Sequence, residues 1–181
     1  MSHVAQSAEF SRRSFLKLSA VSAASLSVLS LSASLTGCSS DPASSGFLVL
    51  RSDDILCLSA ILPVLYSGAV AAEQMNSNLH STLRAIDNSL ASFSPEMRKL
   101  TVQLFDVLNN PLTRGPLTGV WGAWEKASSA DIQQFLTRWA NSRLDLLKMG
   151  HNALLQLAML AHYGQPSAWQ HCGYPGPPLL Q

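Results

Sequence analysis

From Ile55 to Tyr163 the apolar residues of this chain recur at spacings of three and four, with polar residues between them. That is the period of an α-helix with one face turned from water. Ser52-Asp53-Asp54 supplies an N-cap and an acidic first turn for a helix through Ile55, Leu58, Ile61 and Leu62, which Pro63 kinks or ends. A second helix is expected over about Asn76 to Ser92. The third carries the fullest set of signals: Ser94 caps it, Pro95 takes its first position and Glu96 suits its dipole. Met97, Leu100, Leu104, Phe105, Val107 and Leu108 then share one face, while Arg98, Lys99, Gln103 and Asp106 share the other. Asn109-Asn110-Pro111 ends it.

The segment Leu112 to Trp124 is dense in Gly and Pro and is expected to be irregular. One long helical tract should run from about Asp131 to Tyr163, with Ile132, Phe135, Leu136, Trp139, Leu146, Leu147, Leu154, Leu157 and Ala161 on its main face. Gly150 falls on that face, where a missing side chain lets another helix approach closely. From Gln165-Pro166 to Gln181, four prolines and two glycines forbid a long helix. No stretch reads as a strand. The fold class is all-α: a small irregular helical bundle with Gly/Pro-rich loops and a Pro-rich C-terminal tail.

The N-terminus breaks the pattern. Ser11-Arg12-Arg13-Ser14-Phe15-Leu16-Lys17 leads into a charge-free run from Leu18 to Ser40, with seven serines between Leu18 and Thr36, and Leu35-Thr36-Gly37-Cys38 lies near its end. This order resembles a twin-arginine export signal, with Arg12, Arg13, Phe15, Leu16 and Lys17 as its signal residues, joined to a bacterial lipoprotein box. An uncleaved transmembrane anchor is the competing reading, but an uninterrupted Leu/Ile/Val/Phe core is missing. The resemblance implies a signal peptide over 1–37, lipidation of Cys38, a lipidated N-terminus and linker over 38–51 and a helical domain over 52–181. Two or more acyl chains anchor a protein stably. The expected location is therefore the periplasm, lipid-anchored to a membrane; Ser39, rather than Asp, after the lipidated cysteine favours the outer one.

Charge and chemistry narrow the picture mainly by exclusion. Without Arg12, Arg13, Lys17 and Glu9, the twelve basic and eleven acidic residues become nine and ten, a net of −1. No basic patch points to nucleic acid. No CxxCH, iron–sulfur cysteine set, GxGxxG, Walker loop or GxSxG occurs. Cys57 and Cys172 are the thiols left after lipidation; they either pair in an oxidising compartment or stay reduced. His151, His162 and His171 stand 11 and 9 residues apart, which suits no helical ligand pair, so they read as ordinary histidines and no metal site is assigned. No catalytic residue is assigned either. Arg143 sits within the apolar face of the long tract, where it either stacks on Trp139 or marks the edge of a partner-binding surface. Trp121, Trp124, Tyr163, Trp169 and Tyr174 cluster in or near the Gly/Pro-rich segments; they lid the core or bind a partner.

Phe135-Leu136-Thr137-Arg138-Trp139, Ala153-Leu154-Leu155, Leu160-Ala161-His162-Tyr163-Gly164, Trp169 and Gly173-Tyr174-Pro175-Gly176-Pro177-Pro178 together resemble the C-terminal half of the gluconate 2-dehydrogenase subunit 3-like family. Ile61-Leu62-Pro63-Val64-Leu65-Tyr66-Ser67-Gly68 and Leu112-Thr113-Arg114-Gly115-Pro116-Leu117-Thr118-Gly119 fit the same pattern. The resemblance implies a non-catalytic small subunit of a membrane-associated, FAD-dependent sugar or alcohol dehydrogenase of the glucose-methanol-choline type. No cofactor is expected on this chain. FAD would sit on the large subunit, which travels folded through the twin-arginine translocase on the small subunit's signal. A multihaem cytochrome c takes the electrons onward in three-part versions. A lipobox is unusual in such a subunit. A stand-alone periplasmic lipoprotein with an unrelated envelope partner, and an enzyme with a site around the three histidines, are the other classes.

Overall fold

The structure is a computed structural model in which residues 41–70, 72–166, 168–169 and 173–176 are described. The expected export-signal residues, Cys38, His171 and Cys172 lie outside them. The described residues form six α-helices, one short 3-10 turn and no strand beyond an isolated bridge between Ser67 and Val70, so the fold is all-α.

Helix α1 (Ser52–Leu65) buries Asp54, Cys57, Leu58, Ile61 and Leu62, the i, i+3, i+4, i+7, i+8 pattern of a helix covered on one face. Its N-cap is Arg51 rather than Ser52: the Arg51 amide donates to Asp54 Oδ2 at 3.0 Å. Pro63 is accommodated inside the helix, which continues two residues beyond it. Helix α2 (Ala72–Ser92) turns Leu83, Ile86 and Leu90 inward. Helix α3 (Pro95–Asn109) starts as its cap signals require, with Ser94 Oγ accepting the Met97 amide at 3.2 Å.

Three expectations are corrected beyond this point. Residues expected to be irregular form helix α4 (Pro111–Thr118). Asn110 Oδ1 caps it by accepting the Leu112 amide at 2.9 Å, Pro111 takes the first helical position, and Gly119 ends it with φ +81°. One proline and one glycine thus serve as stop and start signals rather than as breakers. After a 3-10 turn (Trp124–Lys126), the single long tract divides into helix α5 (Ser129–Ala140) and helix α6 (Asp145–Tyr163). Asn141 Nδ2 donates back to the Thr137 carbonyl at 2.9 Å and Ser142 Oγ accepts the Leu144 amide at 3.0 Å, so two short polar side chains compete with the helical ladder and end it.

The third correction concerns residues 44–51 alone, the part of the expected 38–51 linker that packs on the domain. Among them Leu50 is buried, and Phe47 and Val49 pack on the core. Gly46 (φ +82°) makes the turn that brings the Phe47 amide to the Ser44 carbonyl at 2.9 Å. Asp87 on α2 then accepts three consecutive amides: Leu48 at 2.6 Å, Val49 at 2.8 Å and Leu50 at 2.9 Å. A carboxylate that takes three amides is a strong clasp, so the folded domain begins at about Ser44.

Helix α1 is the hub, touching α2, α3, α5, α6 and the 3-10 turn. Its N-terminus is tied to α3 by Arg51, whose Nε and Nη2 grip the Asp54 carboxylate at 2.8 and 2.9 Å while Nη1 reaches Asp106 at 2.7 Å. Hydrogen bonds to both carboxylates hold the guanidinium well above its usual pKa, against the opposing effect of burial. Asn109 Nδ2 adds a bond to Asp54 at 2.8 Å. Within the core Trp139 lies edge-on to Phe135, with ring centres 4.9 Å apart, and donates to the Leu117 carbonyl at 2.9 Å. Gly150 makes room for it, as its sequence position suggested: a Cβ there would stand 2.5 Å from Trp139 Cζ3. The partner in that close approach is a side chain of α5 rather than a helix backbone.

Candidate docking surface

Helix α6 is apolar around more of its circumference than one core can cover. Gly150, Leu154, Leu157, Ala158 and Ala161 face inward. Beside them runs a second, largely apolar stripe, Leu146, Met149, half-buried Ala153, Leu160 and Tyr163, with polar Gln156 among them, at spacings of three and four. Leu146 is 77% exposed, Met149 65% and Leu160 55%. This is the a/d spacing with which one helix presents a seam to another helix. A helix of 19 residues carries it over about 28 Å. Leu155 and Met159 are exposed on the other flank, interleaved with the polar Lys148 and Asn152.

The same excess appears on α3. Met97 and Leu100, expected in the core with Phe105 and Leu108, are exposed at 52% and 62%. Thr101 takes the inward position instead, its hydroxyl bonded to the Met97 carbonyl at 3.0 Å. Leu104, four residues after Leu100, comes within 3.4 Å of the point where a Gly150 Cβ would stand. The Leu104 side chain of α3 thus reaches the α6 backbone at Gly150.

The aromatic residues divide. Trp124 belongs to the core: it is 3% exposed, its indole donates to the Leu108 carbonyl at 3.1 Å and its ring tilts against Phe135. Its assignment to a partner-binding surface is thereby corrected. Trp121 is 78% exposed, with one face on the backbone of Gly115, where a Cβ would stand 2.5 Å from its ring. Tyr163, Trp169 and Tyr174 come together at the end of the α6 stripe. The Trp169 indole donates to the Tyr163 carbonyl at 2.8 Å and its ring stands edge-on to Tyr174 at 5.5 Å. Tyr163 and Tyr174 keep an exposed edge. Arg143 does not sit on a buried face. It lies exposed in the α5–α6 break at the opposite end of the same stripe, next to exposed Leu144, and Trp139 meets Phe135 rather than this guanidinium.

Chemistry elsewhere is sparse. A cleft of about 400 Å³ between α1, α5 and α6 is lined by Leu65, Ser67, Leu136, Thr137, Ala140 and His151 among others. His151 is its one titratable group among the described residues. His162 lies between Tyr66 and Tyr163, with ring centres 5.3 and 5.0 Å away. Among the described residues no group of three His, Cys, Asp or Glu side chains could hold a metal ion, and no helix is long and apolar enough to cross a membrane. Cys57 is a fully buried free thiol whose pKa is pushed up by desolvation, and further by the nearby Asp54 charge. Cys172, the one thiol with which it could pair, lies outside the described residues. Burial likewise raises the Tyr66 phenol, which donates to the Ala158 carbonyl and joins α1 to α6.

Sequence periodicity missed Met149 and Leu160 as surface residues and placed Met97, Leu100 and Leu146 inside. The available signal was the width of the apolar arc: α6 carries two overlapping sets at helical spacing, where one core face needs only one. No protein-family model, no curated protein and no solved structure matches this chain.

Proposed function

We propose that this chain is a non-catalytic escort subunit. It carries a folded FAD-dependent sugar or alcohol dehydrogenase through twin-arginine export and holds it at a membrane by a lipid on Cys38. The observation that carries the reading is the uncovered apolar stripe on α6, flanked by Arg143 at one end and the Tyr163–Trp169–Tyr174 group at the other. Large apolar side chains grouped on one exposed helix face mark sites of protein interaction more often than side chains scattered singly do. Aromatic and arginine side chains at its ends are the types that dominate binding energies in protein interfaces. The resemblance of residues 61–68, 112–119, 135–139, 153–155, 160–164, 169 and 173–178 to the gluconate 2-dehydrogenase subunit 3-like family suggests the identity of the occupant. The division of labour is chemically consistent: hydride abstraction needs a flavin and a base, which the large subunit would bring. A cytochrome c would accept electrons from that subunit.

Isolation from native envelopes tests this. A yellow, FAD-containing polypeptide should co-purify with the chain, and Leu146→Asp combined with Leu160→Asp should release it while leaving the helical content unchanged. Replacement of Arg12 and Arg13 by Lys should strand the flavoprotein in the cytoplasm. A chain isolated with an unrelated envelope protein, or a flavoprotein that still reaches the periplasm without the arginine pair, would overturn the escort role.

A further inference from the structure

The proposed lipid anchor and the folded domain are separated by little chain. We infer that the turn at Ser44–Leu50 faces the phospholipid headgroups and fixes which side of the domain is turned to the membrane. This deepens the proposed function, since it rests on Cys38 being lipidated. Between Cys38 and Ser44 lie five residues, Ser39 to Ala43. Fully extended, the six steps span at most about 20 Å, and as a flexible coil about 12 Å. A domain of this length is roughly 35 Å across. The tether is thus shorter than the body it holds, and the domain cannot turn over.

What stands at the tether's end is built to keep that position. Asp87 fixes the amides of Leu48, Val49 and Leu50, so the attachment point does not peel away from α2. Gly46 turns the chain, and the Arg84 guanidinium lies over the Phe47 ring at 5.0 Å. Leu48, the next residue in the chain after Phe47, is left 67% exposed. An exposed leucine one residue from a ring that carries an exposed arginine suits a phospholipid surface, where an apolar side chain enters the headgroup boundary and a guanidinium meets phosphate. The surface is small, so the tether supplies the proximity and Leu48 with Arg84 set the orientation.

The test uses the full-length lipidated protein, with Leu48→Cys bearing a fluorophore in a Cys172→Ser background. It is reconstituted into phosphatidylethanolamine–phosphatidylglycerol vesicles that contain headgroup-spin-labelled lipid. Quenching of the label is expected, along with its loss when about ten Gly/Ser residues are inserted between Ser40 and Asp41. Absence of quenching with the native tether, or quenching unchanged by the longer one, overturns the inference. Acyl labelling of Cys38, read on the same samples, separates the two claims: labelling without quenching sinks the orientation alone, and absent labelling sinks the anchor beneath it.

Discussion

Replacing Asp87 by Asn keeps the shape of the side chain but removes one of its two acceptor oxygens. In the native protein Oδ1 takes the Val49 and Leu50 amides and Oδ2 takes the Leu48 amide. An Asn can place its oxygen at the first position, and its NH2 group then faces the Leu48 amide across 2.6 Å, donor against donor. One charge-assisted bond is lost, worth about 1.5–3 kcal/mol, and two others become neutral at about 1 kcal/mol each. Against this, Asp87 is 1% exposed and has no Lys, Arg or His within salt-bridge distance among the described residues, so neutralising it relieves a desolvation cost. The net expectation is a destabilisation of about 2–4 kcal/mol, or a melting temperature lower by roughly 10 °C for a domain of this size. Urea unfolding followed by circular dichroism measures the first, and hydrogen exchange localises it: the amides of Leu48 to Leu50 should lose protection before those of α2. A loss below about 0.5 kcal/mol with those amides still protected would refute the clasp.

Two further outcomes follow from buried groups. Cys57 and Tyr66 have folded pKa values raised above their ordinary 9.0 and 10.0. The folded state therefore binds their protons more tightly than the unfolded chain does. The stability this confers is complete below about pH 9 and is lost as pH rises beyond it, by at most about 1.4 kcal/mol per pH unit for each group. Denaturation midpoints from pH 8 to 11 should fall accordingly, and Tyr66→Phe together with Cys57→Ala should flatten the slope. Trp124→Ala should cost about 3–5 kcal/mol through its cavity and its orphaned Leu108 carbonyl, whereas Trp121→Ala should cost less than about 1 kcal/mol; thermal unfolding compares them directly.

Local chemistry was legible wherever a single element decided it. Ser94-Pro95-Glu96 fixed the start of α3, and the spacing of Leu58, Ile61 and Leu62 fixed the inner face of α1. Gly150 was read as a point of close approach, and a Trp139 ring fills the space. The failures share a physical cause: side chains with two uses. Gly and Pro in residues 111–119 looked like breakers, yet Pro111 stands where the helix starts, Gly119 where it ends, and Gly115 leaves room inside it for the Trp121 ring. Asn141 and Ser142 looked tolerable inside a helix, yet their short side chains bond the local backbone more readily than they extend it. Asp87 was invisible because its partners are amides nearly forty residues away, which no periodicity records.

The exposed stripe follows from the same ambiguity. Periodicity reports that a helix position is apolar; it does not say what covers it. On α6 the residues Leu154, Leu157 and Ala161 are covered by the domain's own core, while Leu146, Met149 and Leu160 lie in water at the same spacing. Keeping three large apolar side chains exposed gains nothing for folding, since each forgoes about 1.5–3 kcal/mol of burial. Such side chains make physical sense when burial is deferred to a second surface, and deferral suits a subunit that folds first and is covered when its partner docks. Under the proposed function, the binding free energy would stabilise both members by mass action, so this chain and a docked partner should resist unfolding better together than apart.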